Sequence, residues 1–123
     1  MQVDQRYRML LGKIGFTACR QCRYDEARAI FGGLNQTDPA RAGPYVGLAM
    51  VLLSEGKTAE AVAFLKDTAV PNSKGDPDVK AYLGLAYFMN KQPNEAKEVL
   101  GPLADSAPGS ASSLAKSVLA QIA

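Results

Sequence analysis

Side chains able to do chemistry are few in this sequence. Two cysteines stand as Cys19-Arg-Gln-Cys22, a CxxC spacing that serves thiol exchange or half of a zinc site. There is no second CxxC and no histidine, so the usual four ligands of a tetrahedral zinc cannot be assembled. A redox pair of the thioredoxin kind also needs a strand ahead of the motif. The apolar period here is helical, and the favoured reading is two ordinary helical thiols. Carboxylates fall together at Asp25-Glu26 and at Asp76 and Asp78. These lie where helices start and negative charge suits the dipole, not on one pocket. No Gly-rich phosphate loop follows a strand. The expectation is a chain with no catalytic residue, no metal site and no cofactor: a binding protein, not an enzyme.

Charge does not point to nucleic acid. The formal net charge of the 123 residues is +2, whereas a nucleic-acid binder shows a basic face. Residues 1–41 hold seven Arg/Lys against four Asp/Glu, and residues 42–123 hold seven against eight. The early cations are mostly arginines, Arg6, Arg8, Arg20, Arg23, Arg28 and Arg41, at spacings that suit solvated helix faces with few aromatics between them. Asp4 precedes any apolar run and Lys13 interrupts the first one, so neither a signal peptide nor a bilayer span is expected. The expected location is the cytosol, where both thiols stay reduced.

Positioning comes from a repeat. Tyr24-Asp-Glu-Ala27, Thr58-Ala-Glu-Ala61 and Pro93-Asn-Glu-Ala96 place Glu-Ala pairs at 26–27, 60–61 and 95–96, spaced by 34 and then 35 residues. Four residues past each alanine stands a large apolar residue: Phe31, Leu65, Leu100. Twelve before it stands a small one, Gly15, Ala49 or Gly84, each after an aliphatic residue: Ile14, Leu48, Leu83. Pro39 and Pro108 close the first and third units. Several columns recurring at one period mark a helical array. Small residues at two facing positions let paired helices approach closely.

On these residues the chain resembles the tetratricopeptide repeat family, most fully in AYLGLAYFMNKQPNEAKEVLGPLADSAP. The resemblance implies an all-α fold: three tetratricopeptide-type helix pairs plus a C-terminal capping helix, wound as a right-handed α-superhelix with a concave groove. One domain over 1–123 is expected, with repeats near 8–41, 42–76 and 77–110 and a cap over 110–123. Asp4, Asp76 before Pro77, and Ser110 are placed to cap helices, and Pro44 and Pro93 to open them. Leu114, Val118 and Ile122 fall on one face of the last helix. Gly32-Gly33 should weaken the second helix after Phe31, Pro102 should kink or end another near Leu100, and Pro71 should stop a third early. The expected repeat core is Ile14, Ala27, Phe31, Leu48, Ala61, Leu65, Leu83, Ala96 and Leu100.

The same resemblance puts first helices on the concave, binding surface. Its expected lining is Met9, Gly12, Phe16 and Cys19, then Gly43, Val46, Met50 and Leu53, then Asp78, Ala81, Leu85 and Phe88. Family members that grip acidic chaperone tails use cationic and amide side chains where this chain has Gly12, Phe16, Gly47, Asp78 and Tyr82, so that clamp is absent. An apolar lining suits an amphipathic helix or extended apolar segment of a protein partner, and methionine adds adaptability. Size, repeat number and groove character resemble the small cytoplasmic chaperones of bacterial type III secretion. That resemblance implies sequestration of a needle subunit or related client, with a second small helical co-chaperone as a possible partner. The alternatives are a general scaffold or assembly factor, or a self-associating homodimer. Neither nucleic acid nor membrane is expected as a partner.

Overall fold

Apolar residues at helical spacing, punctuated by turns, produce helices alone. A computed structural model describes residues 5–122, and among them no strand occurs. In chain order the elements are α1 (Gln5–Arg20), α2 (Tyr24–Thr37), α3 (Ala42–Ser54), α4 (Thr58–Phe64), a π-helical turn over Leu65–Ala69, α5 (Val70–Asn72), α6 (Pro77–Met89), α7 (Pro93–Ser106) and α8 (Gly109–Leu119). Packing runs from neighbour to neighbour. The helix α1 meets α2 and α3, α3 meets α4 and α6, and α8 closes on α6 and α7. The result is a helical repeat solenoid.

The first helix of each pair ends alike. At Cys22, Gly56 and Lys91 the chain enters the left-handed region, with φ of 61°, 78° and 61°. The next amide reaches back five residues: Arg23 to Ala18, Lys57 to Leu52, Gln92 to Tyr87. This double-bonded C-terminal cap satisfies carbonyls the helix leaves open. Only the second unit supplies the glycine that the conformation favours. Cys22 therefore stands outside α1, exposed in a turn, while Cys19 is buried within the helix and both thiols are free. The expectation of two helical thiols holds for Cys19 alone.

Helix pairs close on small residues. A methyl placed on Gly84 would lie 2.3 Å from a Leu100 methyl carbon, and one on Gly47 would lie 2.4 Å from the Phe31 ring. Phe31 is thereby wedged between its own pair and the next. Three apolar clusters follow, one around Phe31, Leu34 and Val51, one around Tyr45, Leu65 and Val79, and one around Leu100, Leu103 and Val118. Between units, the Arg28 guanidinium bonds Glu55 at 2.5 Å, and within α2 it bonds Asp25 at 2.6 Å. Those two carboxylates hold Arg28 still more firmly protonated than usual.

Several local expectations are corrected. Ile14 is 46% exposed rather than in the core, because its side of α1 has no neighbouring helix among the described residues. The helix α2 runs through Gly32-Gly33 to Thr37, anchored by buried Phe31 and Leu34. The helix α7 continues past Pro102 to Ser106, because α6 and α8 hold Leu100 and Leu103 in place on either side of the ring. Pro71 does not stop its helix early. The Val70 amide bonds the Leu65 carbonyl five residues back, and this wide turn leads the chain into the proline and on to Asn72. The wider register gives room where a proline ring would press on a carbonyl. Asp76 does cap α6, its carboxylate accepting from the Asp78 and Val79 amides at 2.8 and 3.3 Å. Ser110 does not cap α8; its hydroxyl donates to Asp78 instead. The expected cap Asp4 lies outside the described residues.

Candidate functional site

The helices α1, α3 and α6 present a chain of connected hollows. Spacing explains the lining: Asp78, Tyr82, Leu85 and Met89 follow one another by three or four residues and so share a face of α6. A first hollow of about 240 Å³ holds Met9, Gly12, Phe16, Arg8, Arg41 and Gly43. A second of about 330 Å³ shares Phe16, Ala42 and Gly43 with it and adds Val46, Asp78, Tyr82, Ser110 and Leu114. A third of about 290 Å³ takes over at Tyr82 and is bounded by Met50, Leu53, Leu85 and Met89. Shared residues make these three one trough.

Its floor is aromatic and aliphatic. The Phe16 and Phe31 rings meet with centroids 4.8 Å apart, tilted at 60°. The Tyr82 hydroxyl donates a long contact of 3.9 Å to the Met50 sulfur. Burial, with a smaller push from the Asp78 carboxylate, raises the Tyr82 hydroxyl above its ordinary pKa of 10.0. Charged side chains also line the first two hollows. Arg8 donates to the Thr37 hydroxyl and to the Leu34 carbonyl, Arg41 pairs with Asp38 at 3.0 Å, and Asp78 accepts from Ser110 at 3.1 Å. That last bond ties the start of α8 to the start of α6.

The residues expected to line the groove divide. Met9, Gly12, Phe16, Gly43, Val46, Met50, Leu53, Asp78 and Leu85 are brought together along the trough. Cys19 and Ala81 are buried in helix packing and offer no surface. Phe88 is half-buried against the α7–α8 cluster. Met89 is not among the residues expected to line the trough, although it lies four residues from Leu85, and Tyr82 is expected there only as a position matching the absent clamp. Leu114 and Ser110 come from α8, which had been given only a capping role. Among the described residues no group of three or more His, Cys, Asp or Glu gathers as a metal would require. No helix there is long and apolar enough to cross a membrane.

A surface of this kind can take apolar side chains by shape and contact. A family model for the tetratricopeptide repeat matches residues 20–70 and again 52–122. Comparison with curated proteins returns no match.

Proposed function

The chain belongs to the tetratricopeptide repeat family, a family of protein-interaction modules that are generally non-catalytic scaffolds, and from that premise we propose that its trough sequesters an amphipathic helix or short apolar segment of a client protein. The observation that carries this reading is the continuous apolar lining from Phe16 through Val46 and Tyr82 to Leu85 and Met89. A partner removing about 600 Å² of apolar surface gains on the order of 15 kcal/mol gross, much of it offset by the cost of association. In this reading residues 8–41, 42–76 and 77–110 are three stacked units of one domain, and the protein is a small chaperone of the cytosol. It covers the face through which its client would otherwise self-assemble. A needle subunit of a type III secretion system is the client type that size and groove character favour.

Two substitutions test it. A client captured from native cytosol is titrated against Met50→Glu and Leu85→Glu chains. Both positions are only half-buried in the free protein, so the new carboxylate stays hydrated and the helical spectrum is kept. In the complex it is buried unpaired, which costs several kcal/mol, about a hundredfold or more in affinity. Leu83, on the other side of α6 and only 7% exposed, provides the folding control: Leu83→Glu unfolds the chain. Normal client binding by folded Met50→Glu and Leu85→Glu chains overturns the proposal.

A further inference from the structure

The outer edge of α1 has a pattern that the trough does not use. Tyr7, Leu10 and Ile14 are 56%, 52% and 46% exposed, and their spacing of three and four residues aligns them in one stripe. Together they expose roughly 300 Å² of apolar surface, the size of the largest patch on an ordinary monomer and one that is often functional. At the far end of the solenoid α8 covers α6 and α7 with Ala111, Ala115 and Val118. No helix does the same for α1 among the described residues. Alongside the stripe runs a second line, Lys13 and Arg20, spaced by seven residues. Tyr7, Leu10 and Ile14 thus have the spacing of a two-helix seam, and the cations stand at the flanking positions that would set the charge preference of such a contact.

The charges decide the occupant. There is no Asp or Glu anywhere in α1. Pairing with α1 of a second copy, in antiparallel order, sets this cationic line against itself. In parallel order it meets Leu11 and Ala18, with no carboxylate. Stacking on α8 of another copy finds none on that helix either, since Gly109–Leu119 holds no acid and carries Lys116. Like charges facing each other across a contact weaken it. We infer that the outer edge of α1 docks a partner helix whose apolar stripe is bordered by Asp or Glu, a second binding surface separate from the trough.

The test uses the whole chain and two labelled synthetic helices of about three heptads, identical in a Leu seam but bordered by Glu in one and by Lys in the other. Fluorescence anisotropy in low salt should show the Glu-bordered helix binding at least tenfold tighter, with affinity falling as salt is added. Ile14→Glu should abolish that binding, and Lys13→Glu with Arg20→Glu should transfer the preference to the Lys-bordered helix. All three positions are exposed, so melting temperatures serve as the folding check. Met50→Glu should bind the Glu-bordered helix normally. Equal or absent binding of the two helices overturns the inference. So does binding lost in Met50→Glu but kept in Ile14→Glu, which would seat the helix in the trough and leave the groove proposal standing. A dimer in sedimentation that Ile14→Glu splits would make a second copy the occupant and likewise overturn it.

Discussion

The same substitution, Gly→Ala, should act with opposite sign at two helical glycines, and the difference follows from what the new methyl meets. At Gly84 in α6 the methyl would fall 2.3 Å from one Leu100 methyl carbon and 2.4 Å from its branch carbon. Carbon atoms rest at about 3.5–4.0 Å, so more than about 1 Å of room must be made. Leu100 is completely buried and cannot swing away. Overpacking of this severity costs about 3 kcal/mol, and the better helix propensity of alanine returns about 1, leaving about 2 kcal/mol of destabilisation. At Gly33 in α2 the methyl meets nothing within 4 Å, so only the propensity gain remains, about 1 kcal/mol of stabilisation. Urea unfolding followed by circular dichroism separates these by about 3 kcal/mol, roughly 1 M or more in midpoint at ordinary slopes. Leu100→Ala added to Gly84→Ala should cost less than the two single changes together, because the methyl fills part of the vacated space. If Gly84→Ala proves as stable as the parent, close approach of α6 and α7 is not what requires glycine there.

Other consequences are as direct. Removing residues 109–123 strips the cover from Leu100 and Leu103 and should lower stability by on the order of 3 kcal/mol, roughly 10 °C or more in Tm; unchanged melting would make α8 a dispensable tail. Lys91 adopts φ of 61° where the second unit has Gly56, so Lys91→Gly should stabilise by about 1 kcal/mol in urea unfolding; no gain would show that the turn carries no strain. Because the folded chain holds the Tyr82 proton above pH 10.0, stability from this group is complete below that pH and is lost as pH rises through the folded value. The parent should therefore lose stability relative to Tyr82→Phe in urea titrations as pH rises above 10.0, and parallel curves there would refute this.

Much of the array was legible because its signals are covariant columns at one period. Phe31 four residues after Ala27 and Leu100 four after Ala96 packed where the period places them, against Gly15 and Gly84. The prolines were misjudged for a different reason. Proline's cost in a helix is local, about 3 kcal/mol, while the reward for continuing α7 is tertiary. Leu103 sits one residue beyond Pro102 and is buried against α8, a contact that only the fold reveals. Pro71 is accommodated by a π turn at Leu65–Ala69, and no residue pattern announces such a turn.

The trough was legible as a face and not as a depth. Reading α1 and α6 for positions three and four apart found Phe16 and Leu85, and the same rule carried onto Cys19 and Ala81, where neighbouring helices crowd the surface away. Ile14, Leu48 and Leu83 make the reason plain. They occupy one column of the repeat, yet Leu83 is buried, Leu48 is half-buried and Ile14 is exposed. A column records what each unit offers to the unit before it. Leu83 faces α4 and the π turn, Leu48 faces the first pair, and Ile14 has no such neighbour among the described residues. Periodicity therefore identifies the side chains that a solenoid has to bury, while position in the stack determines whether this chain or another one buries them. At α1 that leaves an apolar stripe with a cationic border, and the border narrows the occupant to a helix carrying acid along its edge.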